Sequence, residues 1–164
     1  DPEMSRGLGD VYKRQVPELE EADLKALLER VTDYIAHRTS DKVKISTHVP
    51  DSLPPVRLNV ALFEWVIENL CKNAVDAMGG VGVLVISVQE TSRYWCIDVA
   101  DTGKGIDKRY FETVFAPGYT TKKRGWGLGL SLARRIVVEY HSGSIFVKQS
   151  EINKGTIFRI ELKK

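Results

Sequence analysis

From Ala22 onward the apolar positions fall at helical spacing. Leu24, Leu27, Leu28, Val31, Tyr34 and Ile35 recur at threes and fours, which predicts an amphipathic helix. Ser40-Asp41 breaks it. Val43, Ile45 and Thr47 then alternate with Lys44, Ser46 and His48, the period of a half-buried strand. Pro50, Pro54 and Pro55 make a connecting loop, with a short extended piece at Val56–Leu58. Asn59 is placed to N-cap a second helix, which runs to Met78 and stops at Gly79-Gly80. Two strands follow, over residues 81–89 and 94–100, across a polar turn. Residues 101–126 hold no sustained period beyond a short helical candidate near Lys108 to Phe115. So long an irregular stretch inside a compact chain points to a functional lid or to disorder. A third helix is expected from Leu128 to Tyr140, closed by Gly143. Alternating strands over 144–150 and 156–162 finish the chain across a turn at Asn153-Lys154-Gly155. Clustered strand pairs predict an α+β fold, a two-layer α/β sandwich with a mixed sheet of about five strands on three helices. A doubly wound parallel sheet does not fit that order.

Residues 1–16 show no period and read as a tail or scar, which leaves 17–164 as one folded domain. A chain of 164 residues has the length of a single domain with a real core. The net charge is only +2, which excludes a nucleic-acid binder working through bulk basicity. Cys71 and Cys96 lie far apart in apolar runs with no Cys-x-x-Cys, so a zinc site is not expected and two buried thiols are. No apolar run of about 18 residues spans a membrane, and no signal-peptide core stands in the first twenty residues. The expected location is cytoplasmic, either free or as the cytoplasmic portion of a membrane-anchored sensor.

Three short segments carry candidate chemistry. On the second helix, Phe63, Ile67, Leu70, Ala74 and Ala77 form the core stripe. Asn69 and Asn73 share a face about 100° away. Their amide oxygens are hard ligands suited to Mg²⁺, or they belong to an ordinary polar helix face. Asp101-Thr102-Gly103-Lys104-Gly105-Ile106 follows a buried strand. Asp101 there can accept a hydrogen bond from an exocyclic amine such as adenine N6, or the segment is a tight turn. Gly125-Trp126-Gly127-Leu128-Gly129-Leu130 opens the third helix, whose N-terminal amides suit a phosphate. From Thr113 to Val138 there is no acid, while Lys122, Lys123, Arg124, Arg134 and Arg135 are basic. A bound polyphosphate explains that local imbalance; a solvated loop is the plainer account. No P-loop, dinucleotide fingerprint or His-Arg-Asp kinase motif is present.

Taken in order, these segments resemble a known set of boxes. Asn69-x-x-x-Asn73-Ala74-x-Asp76-Ala77, Asp101-x-Gly103-x-Gly105-Ile106, Phe115-x-Pro117 with Thr120-Thr121-Lys122, Gly125-x-Gly127-Leu128-Gly129-Leu130 and Gly155-Thr156-x-Phe158 are similar to the N, G1, F, G2 and terminal Gly-Thr boxes of sensor histidine kinases. The resemblance covers about residues 22–163. It is to their catalytic and ATP-binding domain, in the gyrase, Hsp90, histidine kinase and MutL superfamily, and it implies a Bergerat-type fold. It implies ATP and Mg²⁺ as cofactors, with Asn73 on the metal and Asn69 and Asp76 beside it. Asp101 would read adenine N6, Gly103, Gly105 and Ile106 would shape the base pocket, and Thr156 would lie beneath Asp101. Thr120, Thr121 and Lys122 would belong to a lid, with Lys122 near the γ-phosphate. Gly125, Gly127, Leu128, Gly129 and Leu130 would cover the phosphates, and Phe111 and Phe115 would anchor the lid.

Asn69 separates branches of that superfamily. Hydrolysing members carry a glutamate there; an amide cannot act as a general base. Glu68 is rotated about 100° off the face. With Asn69 and Lys122 as the catalytic pair, the implied function is γ-phosphoryl transfer to a histidine on a separate dimerisation domain, with a response regulator downstream. His37-Arg38-Thr39-Ser40 is no acceptor box, because it lacks the intervening Glu-Leu and the Pro. His141 in His-Ser-Gly resembles a helix stop. Gly118 stands where many members have a second phenylalanine, and the lid after Lys122 is short. No nucleic-acid or membrane partner is expected, and the domain is expected to be a monomer. Two alternatives share the fold: an ATP-gated binding module, and a serine kinase of the anti-sigma type.

Overall fold

The computed structural model of the chain describes residues 17–120 and 129–164. Asp23, not Ala22, starts the first helix: its carboxylate accepts the Ala26 N–H at 3.0 Å, and α1 runs Leu24–His37. Ala22 instead ends a strand that the apolar pattern did not reveal. This strand, β1 (Glu20–Ala22), pairs antiparallel with β3 (Val56–Leu58) as a separate two-stranded ribbon. The buried stripe of α1 also differs by one position. Thr32 is buried, its hydroxyl donating to the Glu29 carbonyl at 3.0 Å. Tyr34 is exposed, with the Arg38 guanidinium 3.7 Å over its ring.

The second helix, α2 (Val60–Met78), begins at Asn59, whose side chain accepts the Leu62 N–H at 3.0 Å. It ends at Gly79 in the left-handed conformation. Phe63, Val66, Ile67, Leu70, Cys71, Ala74 and Met78 are buried along it. Ala77, expected in that stripe, is only half-buried.

The main sheet has five strands: β2 (Val43–His48), β4 (Gly82–Glu90), β5 (Tyr94–Asp101), β6 (Ser144–Glu151) and β7 (Gly155–Lys163). Their order is β2-β4-β5-β7-β6, with β2 parallel to β4 and the other pairs antiparallel. The sheet is therefore mixed. One of its faces carries Leu84, Ile86 and Val88 against Val99 and Ile97, then Phe158 and Ile160, and joins α1 and α2 in one core. On the other face, Asp98 is buried under a two-pronged contact from Arg159 at 2.7 and 2.8 Å, with the Lys148 ammonium at 3.6 Å. That contact satisfies the buried charge. Cys71 and Cys96 are free and buried. Burial pushes the Cys71 thiol up to about 12, so it is an inert packing group.

The third helix, α3, starts the second described segment at Gly129 and stays α-helical to Arg135. It then widens into a π-helical turn over Ile136–Tyr140. Ser142, at φ 53°, takes the left-handed position expected of Gly143. His141 is the fastener at this end. Its Nδ1–H donates to the Ile136 carbonyl at 3.0 Å, and its Nε2 accepts the Asn59 N–H at 3.1 Å. The neutral imidazole thus ties the end of α3 to the cap of α2. Between β5 and residue 120 the irregular segment holds two short 3-10 turns, Lys108–Tyr110 and Thr113–Phe115, in place of one helix.

Candidate functional site

The inner face of β5 is apolar at Ile97 and Val99 and turns polar at its last residue, Asp101. Asp101 and Thr156 are direct partners across β5 and β7. Both side chains therefore continue the row that faces the helices. Both are buried, Asp101 at 8% exposure and Thr156 at 4%. The Asp101 carboxylate accepts the Gly103 N–H at 2.8 Å. Burial raises its pKa; the amides of Gly103 and Thr156 pull the other way. A buried carboxylate aimed from a rigid strand end is a strong acceptor for an N–H donor on a ligand.

Two glycines let the chain turn tightly after Asp101. A Cβ on Gly103 would sit 2.7 Å from the Ala77 carbonyl, so only glycine lets the loop touch α2. The next residue confirms the approach, with Lys104 N–H donating to Ala77 O at 2.9 Å. Ala77 is therefore the seat of the loop. Gly105 has φ +76°, and a side chain there would collide with the Glu151 carbonyl. Ile106, half-buried, then donates its N–H to the Ser150 hydroxyl at 2.7 Å. Asn153, at the tip of the β6–β7 hairpin, donates its N–H to Lys104 O at 2.8 Å.

Asn69, Asn73 and Asp76 line one face of α2 beside that loop, with Asn69 and Asn73 half-buried and Asp76 exposed. The Asn69 Nδ2 is buried and has no hydrogen-bond partner among the described residues. Such an orphaned donor is costly and suits an acceptor brought by a ligand. Gly129 packs on the same amide; a Cβ there would lie 2.7 Å from its Oδ1. Leu130 behind it packs against the core. The start of α3 thus meets α2 at Asn69.

Phe115 anchors the segment leading to residue 120. It is buried, meets Phe158 edge-on at 6.0 Å, and carries the Arg134 guanidinium 4.1 Å over its ring. Arg134 also pairs with Glu112 and donates to Ile145 O at 3.2 Å. Phe111 packs against the core, and Thr120 is exposed. Thr121, Lys122, Gly125, Gly127 and Leu128 lie outside the described residues. Asp101, Gly103, Gly105, Ile106 and Thr156 are joined by one loop-and-hairpin network; Asn69, Asn73, Asp76 and Gly129 form its helical wall.

Ser150 is a residue that the sequence did not single out, and Arg134, read there as part of a basic stretch suited to a polyphosphate, is instead held by Glu112, the Phe115 ring and the Ile145 carbonyl. The turn at residues 153–155 held the signal for Ser150, since it sets the register Ser150 to Thr156. No group of three or more His, Cys, Asp or Glu side chains gathers among the described residues. A cation held by amide oxygens would share its coordination with a ligand's oxygens, as Mg²⁺ commonly does with phosphates.

A buried carboxylate at a strand end, a glycine loop and an amide-lined helix are thus brought together at one edge of an α+β domain. Residues 59–164 match the family described as histidine kinase-, DNA gyrase B- and HSP90-like ATPase, and the chain belongs to that family. Sensor histidine kinase ZraS of Escherichia coli (strain K12) is 32% identical over 145 residues, covering 88% of this chain and 31% of that protein. Sporulation kinase E of Bacillus subtilis (strain 168) is 30% identical over 152 residues, covering 92% of this chain and 20% of that protein. The chain therefore spans about a third or less of the length of these curated relatives. Among solved structures, the catalytic domain of histidine kinase ThkA, nucleotide-free, aligns with a TM-score of 0.80 at 28% identity. The alignment covers 90% of this chain and 96% of that one. ThkA in complex with the response regulator protein TrrA aligns at 0.77 and 24% identity, over 99% of this chain and 48% of that one. The five-stranded mixed sheet with its helices is the architecture of histidine kinase catalytic domains. No helix among the described residues is long and apolar enough to cross a membrane.

Proposed function

We propose that this domain binds Mg·ATP between α2, the Asp101–Ile106 loop and the β6–β7 hairpin, and that it transfers the γ-phosphoryl group to a histidine on a separate helical dimerisation domain. The buried Asp101–Thr156 pair at the end of the apolar row carries the reading. Asp101 accepts the adenine amine, and Gly103, Gly105 and Ile106 hold the base against the loop. Asn73 supplies the side-chain oxygen for Mg²⁺, with Asn69 and Asp76 beside it. The metal's chemistry there is charge neutralisation on the phosphates. Thr120, Thr121 and Lys122 form the lid, with Lys122 at the γ-phosphate. Gly125, Gly127, Leu128, Gly129 and Leu130 close over the phosphates at the start of α3.

Asn69 offers no basic group to water, so hydrolysis is slow without an acceptor. In the transfer, the bond from the γ-phosphorus to its bridging oxygen breaks as a phosphorus–nitrogen bond to the imidazole forms. ADP leaves with the electron pair. Positioning and charge neutralisation supply the rate. The domain works in the cytoplasm as a monomeric unit of a larger protein, and a response regulator receives the phosphoryl group. What supports this reading is that the relative ZraS is by name a sensor histidine kinase.

The test mixes the chain with Mg·ATP and a histidine-containing dimerisation domain supplied in trans. An acid-labile phosphoprotein is expected. An acid-stable product, or no transfer while nucleotide still binds, would overturn the kinase assignment.

A further inference from the structure

Ser150 sits where three parts of the base pocket meet, and nothing in the phosphate chemistry uses it. It lies near the end of β6, half-buried, opposite Thr156 in the β6–β7 register. Its hydroxyl has three neighbours: the Ile106 N–H at 2.7 Å, the Gly155 carbonyl at 3.0 Å and the Thr156 hydroxyl at 2.7 Å. A serine hydroxyl has one proton and two acceptor lone pairs. The Ile106 amide can only donate, so it takes one lone pair. The Gly155 carbonyl can only accept, so it takes the proton. The remaining lone pair must receive the Thr156 proton. This is the one assignment that satisfies all four groups.

It has a consequence for the neighbouring residue. With its proton committed to Ser150, Thr156 can offer only lone pairs to a ligand. Its partner across the strands, Asp101, is a carboxylate and also offers only lone pairs. The buried end of the pocket is thereby all acceptor. A base edge carrying an amine fits it; one carrying a carbonyl in the same place meets repulsion and an unpaired oxygen.

We infer that Ser150 is a positioning residue that fixes Thr156 as an acceptor and so sets the preference of this pocket for a 6-amino purine over a 6-oxo purine. The inference rests on the ATP reading of the same site. It assigns Ser150 a part in base selection distinct from holding the loop, because a loop support would favour every nucleotide equally.

Calorimetric titration of the whole chain with Mg·ATP and with Mg·inosine triphosphate separates the two roles. Inosine carries a carbonyl where adenine carries its amine. In Ser150→Ala the Thr156 proton is released and can turn toward the base. ATP affinity is expected to fall roughly tenfold, the scale of one lost hydrogen bond in a buried network. Inosine triphosphate should hold its affinity within about twofold, so the preference shrinks. Ser150→Thr, which keeps the hydroxyl, should restore it. A Ser150→Ala chain that loses both nucleotides by one factor would overturn the inference and leave Ser150 a structural support. Thr156→Val supplies a second route if Ser150→Ala does not fold. It should shrink the preference likewise, and an unchanged preference there would also overturn the inference. If the unaltered chain binds neither nucleotide, the ATP reading fails and the inference fails with it.

Discussion

Burial holds the Asp101 carboxyl above its ordinary value of 3.8, so its negative charge is a cost to the empty fold at neutral pH. The sign follows from linkage: a raised folded value favours the fold at low pH, and the advantage is lost as pH rises through it. Asp101→Asn removes that cost and keeps an oxygen for the Gly103 N–H. Its thermal midpoint at pH 7 is expected to be no lower than that of the unaltered chain. Its ATP affinity should fall by tenfold or more, because an amide that turns its oxygen to Gly103 presents the amine with a donor. A lowered midpoint with full ATP affinity would contradict both parts. Gly105→Ala tests the loop from the other side. It forces a Cβ into φ +76° against the Glu151 carbonyl. A cost of about 1–2 kcal/mol is expected for the left-handed backbone alone, read from chemical denaturation, with weaker ATP binding. At this scale Asp101, the glycines and Asn69 were singled out by their order along the chain, since each alone has an ordinary reading as a turn or a polar helix face. Ser150 was not: a serine on a strand has no distinguishing pattern until the hairpin register brings it to Thr156.

The helices and strands followed from period and caps, and the exceptions have physical causes. Asn59 and Gly79 mark α2 because capping chemistry is local. β1 was missed because a three-residue acidic strand has no alternation to read, and its pairing with β3 is a tertiary event. The π-helical turn in α3 was equally invisible, since it comes with a tertiary contact, His141 bridging Ile136 and Asn59 across the fold. That bridge needs a neutral imidazole, and burial, opposed by the Ile136 hydrogen bond, holds its pKa below the ordinary 6.5. The fold therefore keeps this contribution above about 6.5 and loses it as pH falls toward the depressed folded value. The thermal midpoint should drop between pH 7.5 and about 5.5. His141→Gln should be less stable at pH 7.5 and show a shallower drop. An equally steep drop in that variant would contradict the assignment. Phe63, fully buried beside the same ring at 5.5 Å, anchors the helix pair. Phe63→Ala should cost about 3–5 kcal/mol in urea unfolding.

For the whole molecule, a net charge of +2 hides an unequal distribution. Acids gather at Glu18, Glu20, Glu21, Asp23, Glu29 and Asp33, while residues 113–138 carry only bases. The two bases of that stretch among the described residues are balanced by acids outside it, Arg134 by Glu112 and Arg135 by Glu139. The sandwich was legible because strand pairs and helices cluster in the chain; the order β2-β4-β5-β7-β6 was not, because parallel pairing of β2 with β4 is set by packing across α2. The central claim is that this edge of the sheet binds ATP together with Mg²⁺. Calorimetric titration of the chain with ATP, with and without Mg²⁺, tests it most directly. Saturable binding between micromolar and millimolar ATP is predicted, tighter with Mg²⁺, and the metal dependence should vanish in Asn73→Ala. No heat of binding at millimolar ATP would contradict the account.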